Sequence, residues 1–162
     1  MKQLRPIARV VIIHDDQIML VRNRDANFWY PPGGGWEFEG ESLPECAKRE
    51  VKEELGITDY IPERIGQYVF ESDCENDVTS DRMLWLSEFR EKDMVYLESF
   101  WLGTLNSNSH EAHRQHSDSD PNGAVAEVRW FSEEELVDLT VFPASLKRFS
   151  EINLASPDPY LA

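Results

Sequence analysis

Arg9 to His14 reads as a strand around the apolar run Val10–Ile13, and Ile18 to Arg22 repeats that character after Asp15-Asp16. Two such runs around a short acidic break predict a β-hairpin. Asn23 to Trp36 loses any period and holds Pro31-Pro32 and Gly33-Gly34-Gly35, so it is expected to be irregular and to close in a glycine turn. The period then changes. Leu43, Cys46, Ala47, Val51 and Leu55 fall at helical spacing. Ser42 with Glu45 has the spacing of a capping box, Pro44 is tolerated in a first turn, and Gly56 is placed to end the helix.

Beyond Gly56 the alternation predicts a strand over Ile65–Phe70, an acidic loop from Glu71 to Asp81, and β-rich runs at Met83–Phe89 and Met94–Leu102. Residues 106–123 are Asn, Ser, His, Asp and Pro for the most part, and are expected to be a mobile loop because little there could pack. Val125–Phe131 reads as a strand. Ser132 with Glu135 caps a short helix through Leu139, and Pro143–Leu154 is expected to be the last helix. Strands with interspersed helices predict an α/β fold, a mixed β-sheet covered on both faces. A single domain over residues 1–156 with a short tail at 157–162 follows, with no internal repeat or linker.

The chain of 162 residues is long enough for a substantial core, and 41% of it is hydrophobic. Charge changes the picture. Asp and Glu number 31 against 16 Lys and Arg, a formal net charge of -15. A field of that sign disfavours long nucleic acid and anionic membrane surfaces as partners. It leaves room for a small anionic ligand, since a bound cation and a few arginines can reverse the potential locally. The apolar run Val10–Ile13 is too short for a signal-peptide core or membrane span, so a cytoplasmic location is expected. Cys46 on the helix and Cys74 in a polar loop are expected to be reduced thiols rather than a disulfide.

The chemistry concentrates on the helix. Glu50, Glu53 and Glu54 stand at i, i+3 and i+4 and share one face, where three like charges repel. A hard divalent cation with oxygen ligands relieves that repulsion, and Mg²⁺ bridging to substrate phosphates is its usual form. Gly34 and Gly35 precede the helix, and a turn without Cβ atoms lets backbone carbonyls approach a metal. Arg49 reads as a structural cation that can pair with Glu41 across the turn-to-helix junction. Each glutamate taken alone would be an ordinary solvated helix charge. Their combined spacing points to metal-dependent chemistry on a phosphorylated substrate.

Gly35, then Glu41, then Arg49-Glu50-Val51-Lys52-Glu53-Glu54-Leu55-Gly56-Ile57 closely resembles the signature box of the Nudix hydrolases, with every defining position filled. The resemblance implies an α/β/α sandwich around a mixed sheet, with the box as a loop-helix-loop. It implies hydrolysis of a nucleoside diphosphate linked to a further group, by water attack on phosphorus, with Mg²⁺ or Mn²⁺. By that analogy Glu50, Glu53 and Glu54 ligate the metal, helped by the Gly35 carbonyl. Glu50 or Glu53 is the candidate general base, with Arg49 and Glu41 completing the catalytic set. Glu127 resembles a downstream acidic position that adds a ligand or base, against the plainer reading of a solvent-facing strand carboxylate. The family often forms homodimers.

The substrate pocket is less legible. Phe28, Trp29 and Tyr30 lead into the glycines and could stack on a base, or could pack as core. Arg5, Arg9, Arg22 and Arg24 flank the first strands; Arg9 and Arg24 are taken as candidate phosphate contacts beside those aromatics. Trp85, Phe100 and Trp101 read as core. His110, His113 and His116 lack the cysteine partners or rigid element of a zinc site. The acids from Asp73 to Asp81 lack the central glycine of a calcium loop. ADP-ribose-like compounds and sugar nucleotides lead the expected substrates, followed by nucleoside triphosphates in a housecleaning role. A module that binds nucleotide without turnover is the remaining alternative.

Overall fold

The computed structural model describes residues 2–56, 60–61, 83–105 and 125–152. The expected strand over Ile65–Phe70, the acidic loop, the 106–123 loop with its histidines, Cys74 and the tail at 157–162 lie outside them.

The sheet is mixed. Strand β1 (Gln3–His14) turns through Asp15-Asp16 into β2 (Gln17–Asn23). Both turn residues have positive φ, 48° and 57°, the geometry whose twist matches flanking strands in a two-residue hairpin. Strand β3 (Gly33–Gly35) pairs antiparallel with β1, and β4 (Tyr60–Ile61) with the far end of β6. A hairpin of β5 (Met83–Glu91) and β6 (Met94–Leu105) joins β1 through a long parallel ladder from Gln3↔Met94 to Ile12↔Gly103. Strand β7 (Val125–Phe131) closes the other side against β2.

Strand alternation divides the core in two. Ala8, Val10, Ile12, Met19, Val21 and Trp101 face helix α1 (Leu43–Leu55) and meet its Cys46, Ala47, Val51 and Leu55. Val11, Ile18, Leu20, Phe100 and Phe131 point the other way, onto Leu136 of the short helix α2 (Glu133–Leu136) and onto Leu146 and Phe149. Helical structure thus covers both faces, as the α/β/α expectation requires. The expected cores at Phe100 and Trp101 are each only 1% exposed. No helix among the described residues is long and apolar enough to cross a membrane.

Three expectations are corrected. The three glycines are a strand, not a turn: a Cβ on Gly33 would stand 2.0 Å from the Ala8 carbonyl oxygen, so only glycine lets β3 lie this close to β1. The last helix is a run of 3-10 turns, Ala144–Glu151, broken at Arg148. Its buried Leu146 and Phe149 are three residues apart, and such positions eclipse in a 3-10 helix. Helix α2 keeps its capping box but ends at Leu136 rather than Leu139.

Candidate active site

Helix α1 is fixed at both ends. The Ser42 side chain accepts from the Glu45 backbone N–H, the Glu45 carboxylate accepts from the Ser42 N–H at 2.6 Å, and Gly56 closes the helix at φ 67°. With Cys46, Ala47, Val51 and Leu55 turned into the sheet, Glu50 and Glu54 lie along β3. Glu54 Oε2 accepts the Gly33 N–H at 2.9 Å. A Cβ on Gly34 would stand 2.4 Å from Glu50 Oε2, so the missing side chain is what admits that carboxylate.

Arg49 organises the rest. Its Nε and Nη2 fork onto the two Glu41 carboxylate oxygens at 3.0 and 2.9 Å, and Nη2 also reaches the Gly35 carbonyl at 3.1 Å. Nη1 donates to Glu50 Oε1 at 2.7 Å and to Glu53 Oε2 at 3.2 Å. The Arg49 bonds hold the Glu41 carboxyl below the usual carboxylate range. Glu50 is pushed upward because burial outweighs the same arginine. Burial raises Glu54 to about 7, with the Glu50 and Glu53 charges adding and the Gly33 N–H and Arg9 opposing. Burial also raises the Cys46 thiol to about 12, and Cys46 forms no disulfide.

Among the described residues no group of three side chains stands ready as a set of metal ligands. Arg49 is the cation that draws Glu50 and Glu53 in this arrangement. The donor chemistry nevertheless fits a hard divalent ion: carboxylate oxygens and a glycine carbonyl are the ligands such an ion takes. The burial that disfavours bare charge on Glu50 and Glu54 is a penalty that a dication would reverse.

Beside β3 and Glu54 lies a cavity of about 580 Å³, walled by β1 and β6 side chains that point away from α1. Arg5, Arg9, Phe28, Tyr30, Glu54 and Glu98 are among its lining residues. Arg9 donates to the Gly33 carbonyl at 2.8 Å, lies over the Tyr30 ring at 4.8 Å, and pairs with Glu98 Oε1 at 3.1 Å. Tyr30 donates its hydroxyl to Asn23 Oδ1, and burial raises that hydroxyl to about 12. Phe28 is 40% exposed with its ring centroid 5.6 Å from that of Tyr30.

Several expected residues lie elsewhere. Trp29 is buried, edge-on to Phe131 with centroids 4.7 Å apart, so it packs the core instead of lining the cavity. Arg24 is exposed and is not part of the cavity wall. Glu127 faces Arg22 across the β2–β7 ladder and accepts from its Nε at 2.7 Å, away from the cavity wall. Glu98 is the residue sequence reasoning missed. Its signal was a lone carboxylate in the apolar strand run Tyr96–Phe100, where an unpaired acid is rare.

A glutamate-ridged helix packed on a mixed sheet, beside a glycine strand and an arginine-lined cavity, defines a mixed α/β protein. The chain belongs to the NUDIX domain family, whose sequence model matches residues 4–151. It is similar to a putative 8-oxo-dGTP diphosphatase of Bacillus subtilis (strain 168), 39% identical over 59 residues, 36% of this chain and 39% of that protein. It is also similar to dihydroneopterin triphosphate diphosphatase of Escherichia coli (strain K12), 40% identical over 65 residues, 38% of this chain and 42% of that protein. The aligned stretches therefore span less than half of these two relatives. Among solved structures, a MutT NUDIX hydrolase from Burkholderia pseudomallei superposes with TM-score 0.63 at 18% identity, covering 90% of this chain and 96% of that one. The MutT protein from Methanosarcina mazei Go1 gives 0.60 at 20% identity, covering 91% of each chain. At these identities the likeness is one of fold.

Proposed function

We propose that the chain hydrolyses a phosphoanhydride bond in a nucleoside diphosphate derivative by attack of water on phosphorus. The observation that carries this reading is the pair of half-buried, mutually repelling carboxylates, Glu50 and Glu54, set against Gly34 and Gly33 at the edge of an arginine-lined cavity. Glu50, Glu53 and Glu54, with the Gly35 carbonyl, would hold Mg²⁺ or Mn²⁺. Bound there, the ion offsets charge on the phosphoryl oxygens and acidifies a water.

The chain's own groups do the rest. Glu50 or Glu53 accepts the proton of the attacking water. Arg49, forked on Glu41, is a positioning residue that sets the angle of the ridge. Glu127 joins the site only by leaving Arg22. Arg5 and Arg9 supply positive charge in an acidic chain and orient the diphosphate, while Phe28 offers an exposed face to a base.

Two substrate readings follow. An ADP-ribose-like compound or sugar nucleotide is the reading from the signature box. A nucleoside triphosphate, releasing pyrophosphate, is favoured by the two relatives named for triphosphate substrates. Comparing kcat/KM for ADP-ribose, sugar nucleotides, nucleoside triphosphates and dinucleoside polyphosphates with Mg²⁺ separates them. Glu53→Gln and Glu54→Gln should each lower Mg²⁺-dependent turnover by about 10²–10⁴-fold with an unchanged circular dichroism spectrum. Retained turnover refutes the ligand assignment. Nucleotide binding with no turnover at any metal concentration selects the binding module instead.

A further inference from the structure

Glu98 is 2% exposed, and among the described residues its carboxylate accepts from Arg9 alone. Oε1 takes both Arg9 Nε and Nη2, each at 3.1 Å, while Oε2 is sealed and has no donor. A buried carboxylate that loses its cation is heavily penalised, because nothing then compensates its charge away from water. Glu98 therefore pins Arg9. The Arg9 side chain is 17% exposed, and the Tyr30 ring lies 4.8 Å from its guanidinium carbon.

The pinned arginine holds the glycine strand in turn. Arg9 Nη1 donates to the Gly33 carbonyl at 2.8 Å, and the Gly33 N–H donates to Glu54 Oε2 at 2.9 Å. Side chains from two elements, β1 and α1, thus take both backbone groups of Gly33. The residue has no side chain of its own by which to be held, since a Cβ there would meet the Ala8 carbonyl oxygen. In the β1–β6 ladder Ile7 pairs with Glu98 and Arg9 with Phe100, so Glu98 and Arg9 share the sheet face turned away from α1. Gly33 is where that face connects to the glutamate helix. The order of contacts is Glu98, Arg9, Gly33, Glu54. Hydrogen bonds to a ligating carboxylate orient it, and losing such a supporting partner commonly costs about 10–100-fold in metal affinity.

We propose that Glu98 is a positioning residue for the divalent ion: by pinning Arg9 it fixes Gly33, and Gly33 fixes the Glu54 carboxylate. This deepens the proposed function and rests on its assignment of Glu54 as a ligand. It adds to the site a residue on β6 that touches neither the ion nor the substrate.

The test reads metal binding apart from turnover. Mn²⁺ affinity is measured by titration calorimetry, without nucleotide, for the unaltered protein, Glu98→Gln, Glu54→Gln and the double variant. Gln keeps the shape and an acceptor oxygen for Arg9 but drops the charge that pins it. Glu98→Gln should bind Mn²⁺ about tenfold more weakly. Added to Glu54→Gln it should cost less than about twofold more, because its effect runs through Glu54. At saturating Mn²⁺ it should lower kcat and leave the nucleotide KM within about twofold. If Glu98→Gln does not fold, Arg9→Lys, which keeps the charge but cannot span Glu98 and Gly33 together, is read in the same cycle. Unchanged Mn²⁺ affinity in the folded variant overturns the proposal. So does an equal loss in the Glu54→Gln background, the mark of a merely structural role. A raised KM with unaltered Mn²⁺ affinity also overturns it and places Glu98 against the substrate. Coupling between Glu98 and Glu54 with no turnover of any nucleotide supports this inference and sinks the hydrolytic reading instead. Turnover with Mn²⁺ affinity indifferent to Glu98 does the reverse, and an unaltered protein that binds no Mn²⁺ sinks both.

Discussion

Two arginine–glutamate clusters meet at β3, and they are built in opposite senses. On the helix side, Arg49 binds Glu41, Glu50, Glu53 and the Gly35 carbonyl, so one cation gathers several anions. On the cavity side, Arg9 binds one glutamate and the Gly33 carbonyl, and the glutamate keeps an oxygen without a donor. The first cluster carries surplus negative charge, the condition that suits a cation. The second leaves one buried acceptor without a donor. The difference lies in what each cluster lacks.

Gly33 is the joint, and changing it should have the largest effect. Its carbonyl accepts from Arg9 and its N–H donates to Glu54, while its φ of 147° disfavours a side chain. Gly33→Ala would bring a Cβ within 2.0 Å of the Ala8 carbonyl oxygen, so the backbone of β3 must move. A stability loss of about 3 kcal/mol or more is expected in urea unfolding. Activity and nucleotide binding should fall together. If binding survives while turnover is lost, the two clusters are independent and the joint is only structural.

The helix cluster was legible in sequence because its partners are close along the chain. Arg49 lies 8 residues from Glu41 and 14 from Gly35, and one helix sets the spacing of the others. Its caps, Ser42 with Glu45 and then Gly56, are local signals of the same kind. Arg9 and Glu98 are 89 residues apart and meet only because β1 and β6 run parallel in one register. Hydrophobic alternation finds both strands but not which strand pairs with which, so that contact was invisible. The same limit explains Glu127: its strand was legible, while its pairing with Arg22 depends on the β2–β7 register. Trp29 was left open between core and pocket for a related reason. It is one of three consecutive aromatics, and only the packing against Phe131 separates it from Phe28 and Tyr30.

Arg49 is the next point at which to press. Its side chain is 25% exposed and its partners Glu41 and Glu50 are each 14% exposed, so these pairs are sheltered from solvent. Arg49→Ala leaves the Glu41 carboxylate without its fork and should cost about 2 kcal/mol. A melting temperature lower by about 4–8 °C is the corresponding readout for a chain of this size. Arg49→Lys keeps the charge but cannot fork, and should recover only part of the loss. Activity in the lysine variant at saturating Mg²⁺ then separates positioning from stability: full recovery there would mean that the angle set by the fork does not matter.

The smallest expected effect tests the charge balance itself. The Arg49 bonds depress the Glu41 carboxyl below its ordinary range, with the Glu37 backbone N–H adding at 3.0 Å. A group whose pKa is lower folded than unfolded stabilises the fold above the unfolded value, and loses that contribution as pH falls through the folded one. Glu41→Gln should therefore cost about 1 kcal/mol at pH 7. The gap to the unaltered protein should narrow below the ordinary carboxylate range, as Glu41 itself takes up a proton. Urea midpoints of the two proteins, compared from pH 7 downward, measure that closing difference. A gap that stays constant with pH would mean Arg49 gains nothing from the Glu41 charge, and the contrast between a charge-gathering cluster and a donor-seeking one would lose its first half.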